Sequence, residues 1–273
     1  MEFKTVSIAA HSTWNYCGDH GFAIDAGEGM ALALGIGPLA ALKNLLITHD
    51  HWDHIAGIPM VIRSRQRVPN LPALNIYVPS WSGRYEHMAA MVPGANWQLV
   101  VPGDRIALGI NNRTELWATP FPVRHGRSGA VGYKLFHSRM RRRAEFAHLS
   151  ASEMQELALR FRDEGRRPEF SEPFDCHVLT YTGDTRPLPP EALGSPKTLM
   201  HEATYPNPAM QEDHDHSVLA DAVGAAAAIG AELIVNHLSL RYREVQSDDT
   251  PVIPAGVQWV PPANRMHTVR IAW

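Results

Sequence analysis

The chain has 273 residues, 45% of them hydrophobic and 19% charged, a balance that belongs to compact folded proteins and excludes a disordered or fibrous chain. A formal net charge of -3 gives no whole-molecule attraction to nucleic acid or to an acidic membrane, so any contact with a polyanion must come from a local patch. The two isolated cysteines, Cys17 and Cys176, exclude a zinc ribbon and a disulfide scaffold and fit a reduced, cytoplasmic setting. The longest apolar stretch, residues 222–235, is interrupted by Glu232 and too short to span a bilayer. Residues 1–10 lack the apolar core of a secretory signal. A length of this order predicts a single domain over residues 1–273.

Residues 3–9 alternate apolar and polar as a strand does, and residues 22–25 read as a second strand ended by Gly27-Glu28-Gly29. Leu45-Leu46-Ile47 is a short apolar run that stops at a polar cluster, the pattern of a buried strand delivering side chains to a pocket. Residues 55–68 carry apolar side chains at helical spacing as far as Pro69, with Pro59 tolerated near the start. Strands are predicted at 74–78, 97–101, 114–118, 131–136, 176–181, 197–201, 233–236 and 266–272. Ser150-Ala151-Ser152-Glu153 is a capping box opening a helix to Arg162, and Ser217 opens another to about Ile229. No internal repeat of fixed period is visible.

Fifteen histidines direct attention to metal chemistry. His49, His51, Asp53 and His54 fall within six positions directly after the apolar run. Residues two apart along an extended segment point the same way, so His49 and His51 can grip one ion while Asp53 and His54, past the turn, reach a second. A polar loop capping a helix would be the bland reading, but this order after a buried strand is rarely incidental. Two ions need more donors than one loop supplies. Prepared positions exist at His125 after a strand, Asp184 in Tyr181-Thr182-Gly183-Asp184-Thr185, and His237 after Leu233-Ile234-Val235-Asn236.

With its motifs in this order, nearly the whole chain resembles the metallo-β-lactamase superfamily and, within it, the ribonuclease Z-like phosphodiesterases. Ile24-Asp25-Ala26-Gly27-Glu28-Gly29 resembles the family's early Asp-x-Gly-Glu-Gly turn, and His49 to His54 resembles its signature ligand loop. Arg124-His125-Gly126, Gly183-Asp184-Thr185 and Asn236-His237-Leu238-Ser239-Leu240-Arg241-Tyr242 resemble the later ligand motifs. The resemblance implies an α/β layered fold, the αββα sandwich of two mixed β-sheets flanked by helices. It implies that His49, His51 and His125 bind one zinc, that Asp53, His54 and His237 bind the other, and that Asp184 joins the two. The same donors accept Mn2+ or Fe2+. It also implies a homodimer.

His201-Glu202-Ala203-Thr204 and His216-Ser217 are similar to the two pieces that separate the phosphodiesterase branch from other members of the fold. By resemblance, Glu202 steadies His216, which protonates the leaving oxygen, and Asp53 orients the attacking water. Two zincs can clamp phosphate oxygens and make hydroxide available at neutral pH, while an alkoxide leaving group still needs an acid. His11-Ser12-Thr13 lies ahead of every ligand and outside the family order, and is read as a decoy.

Residues 138–175 read as a variable insertion carrying Arg139, Arg141, Arg142 and Arg143, then a capped helix, then Gly165-Arg166-Arg167-Pro168. They lack the Gly/Pro-rich arm with which ribonuclease Z usually grips transfer RNA. The arginines suit phosphate contacts or a solvated face, since Glu145, Glu153 and Glu156 sit among them. The substrate class therefore stays open between RNA and a cyclic nucleotide or other small phosphodiester. A non-catalytic relative that keeps the metal sites is a third reading, opposed by the complete ligand set.

Overall fold

The computed structural model describes residues 1–80, 82–111, 114–126, 129–165, 169–212, 214–240, 256–263 and 265–271. Strands β1 (Glu2–Ile8), β2 (Ser12–Cys17), β3 (Phe22–Ile24), β4 (Asn44–Leu46), β5 (Leu74–Val78) and β6 (Ala95–Leu99) precede β7 (Ile106–Asn111), β8 (Thr114–Pro122), β9 (Val131–Arg142) and β10 (Ser171–Tyr181). Strands β11 (Thr198–Glu202), β12 (Glu232–Asn236), β13 (Gln258–Trp259) and β14 (His267–Arg270) follow.

They form two seven-stranded sheets, ordered β14-β1-β2-β3-β4-β5-β6 and β7-β8-β9-β10-β11-β12-β13. Read in those directions, each sheet makes three antiparallel pairings and then three parallel ones. The halves are thus copies in topology with no repeat in sequence, because pairing direction constrains the pattern of burial and leaves residue identity free.

The sheets face each other across Phe3, Phe22, Ile24 and Leu46 on one side and Leu116, Tyr133, Leu135, Leu179, Tyr181 and Ile234 on the other. Helices α1 (Met30–Leu34), α2 (Ile36–Ala41), α3 (Trp52–Ile55), α4 (Ile58–Gln66) and α5 (Gly83–Met91) cover the outer face of the first sheet. After α6 (Ala151–Asp163), α7 (Pro190–Leu193) and α8 (Leu219–Ile229) cover the parallel half of the second through Leu193, Leu219 and Ala222. The expected αββα sandwich is the fold. The antiparallel half of the second sheet is faced instead by a cross-strand ladder of stacked rings, Trp117 on Phe136 at 4.3 Å and Phe136 on His177 at 4.5 Å.

Several local expectations change. The helix expected over residues 55–68 is two helices, α3 and α4, because the chain passes so close to the Asp25 turn that Gly57 donates to the Ala26 carbonyl at 2.8 Å and a Cβ there would stand 2.2 Å from the Gly27 carbonyl. Strands β9 and β10 run past Phe136 and start before Cys176, so they remain paired from Arg142–Ser171 to Tyr133–Tyr181. Residues 138–142 and 171–175 are therefore an antiparallel extension, carrying α6 with the expected Ser150–Glu153 capping box. Strand β2, missed in the sequence, is buried along its whole length and so shows no alternation. Ser217 does not cap α8, whose N-cap is Val218. Arg241 and Tyr242 of the last motif, and Arg166, Arg167 and Pro168 of the insertion, lie outside the described residues.

Candidate metal centre

The parallel strands run the same way, so their carboxyl ends open on one edge of the sandwich, where α/β sheets collect ligands. There β3 leads into Asp25, β4 into the loop of His49 to His54, β10 into Asp184, β11 ends at Glu202 and β12 leads into His237. His125 follows β8 on the same edge. All the ligand candidates named from the sequence converge. Two sets of donor atoms result, His49, His51, His125 and Asp184 in one and Asp53, His54, Asp184 and His237 in the other, each within 4.8 Å of one another. Asp184 divides its carboxylate between them: Oδ2 lies 3.7 Å from His49 Nε2 and 3.9 Å from His125 Nε2, while Oδ1 lies 3.3 Å from both His54 Nε2 and His237 Nε2.

The other ring nitrogens explain this aim. In four of the five histidines Nδ1 faces an oxygen: His49 that of Thr48 at 3.0 Å, His54 that of Asp25 at 2.8 Å, His125 the Asp215 carbonyl at 3.0 Å and His237 that of Thr204 at 3.0 Å, whereas His51 turns Nδ1 itself toward the site, 3.2 Å from His125 Nε2. A ring that donates through Nδ1 presents a bare Nε2 lone pair, the form that ligates metal. His49 Nε2 is buried with no hydrogen-bond partner, and the Nε2 atoms of His54 and His237 stand 3.4 Å apart. Tetrahedral zinc with bonds of about 2.0–2.1 Å places two nitrogens about 3.4 Å apart, so the donor set fits a divalent cation in chemistry and in span.

Asp25 holds the loop in place. Its Oδ1 accepts from the Thr48 N–H at 2.8 Å and the Thr48 hydroxyl at 3.0 Å, and Oδ2 faces His54. Asp25 and His237 both adopt φ 61°, a left-handed conformation uncommon outside glycine and found where a site over-determines the backbone. Asp53 accepts from the Ala10 N–H at 2.9 Å through Oδ2, the oxygen that lies 3.4 Å from His237 Nε2.

Burial, reinforced by His54, drives the His49 pKa well below the ordinary histidine value despite Asp184. Burial also opposes a proton on His54, but Asp184, Asp25 and Asp53 outweigh it and hold that pKa well above the usual range. Asp184 stays ionised because His237 and His54 overcome the effect of its burial. The surrounding carboxylates thus favour a proton on His54. A cation held there would compete with that proton, which would link metal affinity to pH.

Glu202 and His216 stand beside this centre. The Glu202 Oε1 accepts from His216 Nδ1, Thr185 N and Ser217 N, each at 3.0 Å. Its Oε2 accepts from Thr204 N at 2.8 Å and the Thr204 hydroxyl at 2.9 Å. Burial would raise the Glu202 pKa, but the His216 hydrogen bond and charge outweigh it and keep the carboxylate ionised.

An open cavity of about 330 Å³ leads to both groups and is lined by His51, Asp53, Asp184, His216 and His237. His11 lines it too. It precedes the ligand candidates in the chain, but Ala9 bridges to Ser239 in parallel and carries the loop to the mouth. Sequence reading also assigned no part to Thr48 or Thr204. Their neighbours in the motifs were the only signal, and the contacts of Thr48 with Asp25 and of Thr204 with His237 exist only once the loops meet.

Residues 22–237 match the beta-lactamase superfamily domain. Ribonuclease Z of Pyrobaculum neutrophilum is 33% identical over 238 residues, covering 82% of this chain and 78% of that protein. Among solved structures, the metallo-beta-lactamase fold protein YhfI from Bacillus subtilis superposes with a TM-score of 0.64 at 16% identity, over 98% of this chain and 99% of that one. The short form of human tRNase Z superposes over the full length of both chains with a TM-score of 0.61 at 16% identity. With the domain match spanning every ligand candidate from His49 to His237, the chain is a metal-dependent hydrolase that belongs to the metallo-β-lactamase superfamily, in its ribonuclease Z-like branch.

Proposed function

We propose that the protein is a two-zinc phosphodiesterase that cleaves RNA near a 3′ end. The supporting observation is the Asp184 carboxylate, which turns one oxygen to each of two complete donor sets with the Glu202–His216 pair opening on the same cavity. In this reading His49, His51 and His125 would hold one ion, Asp53, His54 and His237 the other, and Asp184 would serve both. Divalent ions bound there supply charge that neutralises phosphoryl oxygens and acidify the attacking water.

The chain's own part is orientation and proton delivery. Glu202 fixes His216 through Nδ1, so the opposite nitrogen faces the cavity and passes a proton to the leaving oxygen. Asp53, tethered by the Ala10 N–H, orients water beside the phosphate. The relatives named ribonuclease Z support RNA as substrate.

A second reading, hydrolysis of a cyclic nucleotide or other small phosphodiester, draws on the insertion. Arg141 pairs with Glu172 at 2.8 Å, Arg143 with Glu169, and Arg142 donates to the Leu149 carbonyl. These guanidiniums have partners within the insertion, which weakens the case for a ready-made RNA-binding stripe. A homodimer and a cytoplasmic setting complete the proposal. No helix among the described residues is long and apolar enough to cross a membrane.

The test is a parallel assay of the zinc-loaded protein on a 3′-extended precursor transfer RNA, cyclic mononucleotides and bis(p-nitrophenyl) phosphate, with Asp184→Ala as control. Site-specific RNA cleavage that vanishes in the control is the expected result. Turnover of cyclic nucleotides alone selects the second reading, and silence on all three rejects both.

A further inference from the structure

We infer that the Thr204 hydroxyl is the positioning group that joins the second metal set to the proton donor, holding the His237 and His216 rings from one oxygen. This rests on the proposed reaction for the role of His216, and on geometry alone for the placement of both rings.

Thr204 is 6% exposed and its Oγ1 has three close partners. Glu202 Oε2 is 2.9 Å away, His237 Nδ1 3.0 Å and His216 Nδ1 3.1 Å. A hydroxyl has one proton and two lone pairs. An ionised carboxylate only accepts, so the Thr204 proton goes to Glu202, and both lone pairs are left to accept. Each histidine must then donate through Nδ1.

For His237 this leaves Nε2 bare toward Asp184 and Asp53, 3.3 and 3.4 Å away. For His216, whose Nδ1–H is shared with Glu202 Oε1 at 3.0 Å, it leaves Nε2 toward the cavity. The two rings consequently lie nearly parallel, 5.6 Å apart with 20° between their planes. One oxygen thus fixes the tautomer of the proposed metal ligand His237 and its spacing from the proposed acid His216. Glu202 alone cannot do this, because no contact joins it directly to His237 among its hydrogen bonds.

The test compares Thr204→Val, which keeps the side-chain shape and removes the hydroxyl, with Thr204→Ser, which keeps the hydroxyl. In the zinc-loaded protein with 15N-labelled histidine, His216 and His237 are each expected to show a slowly exchanging Nδ1–H in the wild type and in Thr204→Ser. In Thr204→Val the His237 proton exchanges fast, while His216 keeps the Nδ1–H that Glu202 Oε1 accepts. Chelator competition is expected to remove one zinc about 10–100-fold more readily from Thr204→Val, the size usual for loss of a partner behind a ligand, and the other zinc as before.

Unchanged ring protons and unchanged zinc release in Thr204→Val overturn the inference, as does a wild-type His237 protonated on Nε2. If Thr204→Val does not fold, Thr204→Ala, which also removes the hydroxyl, carries the same comparison against Thr204→Ser. A wild type with both protected protons and no phosphodiester turnover upholds the placement and removes the proposed reaction instead.

Discussion

At the scale of single residues, the centre depends on side chains that touch no metal. Asp25 is fully buried and receives Thr48 and His54 at 2.8 Å each. Asp25→Asn keeps the shape but turns an acceptor edge into a donor, so His54 loses its orientation. Zinc affinity measured by chelator competition is expected to fall about 10–100-fold, with melting temperature of the metal-free protein changed far less. His216 is reached from the cavity and its side chain is 15% exposed. His216→Ala is expected to keep both ions and lose about 100-fold or more in turnover, the usual worth of a general acid. Metal analysis alongside the rate separates the two, and a variant as active as the wild type removes His216 from the reaction.

At the scale of elements, the ligand loop sits where it does because two backbones pack without side chains between them. Gly27 has Asp53 O at 2.3 Å and Gly57 has Gly27 O at 2.2 Å from an added Cβ, distances no real Cβ keeps. Gly57→Ala must push α4 from the Asp25 turn and is expected to cost about 1–3 kcal/mol, as overpacking does, with weaker zinc binding; denaturant unfolding measures the first. The ring ladder over β8 to β10 replaces a helix as the cover of that sheet face. Trp117 is fixed within it by Phe136, by Arg105 at 4.1 Å above its ring and by its Nε1–H to Asp175 at 3.1 Å. Trp117→Ala should therefore destabilise the fold while leaving zinc stoichiometry intact.

For the whole molecule, acid sensitivity follows from neutral histidines outside the centre. Burial, with Lys134 nearby, lowers the His177 pKa to about 4, against an ordinary 6.5. Between those values the unfolded chain binds the extra proton and the folded one does not, so stability falls as pH drops from about 6.5 toward 4 and levels off below. His177→Gln should lose less across that window, on the order of 1–2 kcal/mol less after screening at a half-buried site, read from denaturant midpoints. The proposed dimer predicts a light-scattering mass twice the 30.3 kDa of one chain, and a mass of one chain at micromolar concentration rejects it.

The sequence by itself determined the family, the fold and the set of candidate metal donors. The order His49-Asp50-His51-Trp52-Asp53-His54 after a buried strand, with Asp184 and His237 each following an apolar run, is legible because metal donors and strand ends are local features of the chain. The ends of long elements were not legible: β9 and β10 continue beyond their apolar stretches because each is the other's partner, and no single segment records that. Nor were the contacts of Thr48 with Asp25 and of Thr204 with His237, or the place of His11 at the cavity mouth, which arise when loops 20 to 230 positions apart meet at one sheet edge. Only the tertiary structure decided which nitrogen each histidine offers, since that depends on the oxygen behind the ring, and that oxygen mostly belongs to another part of the chain.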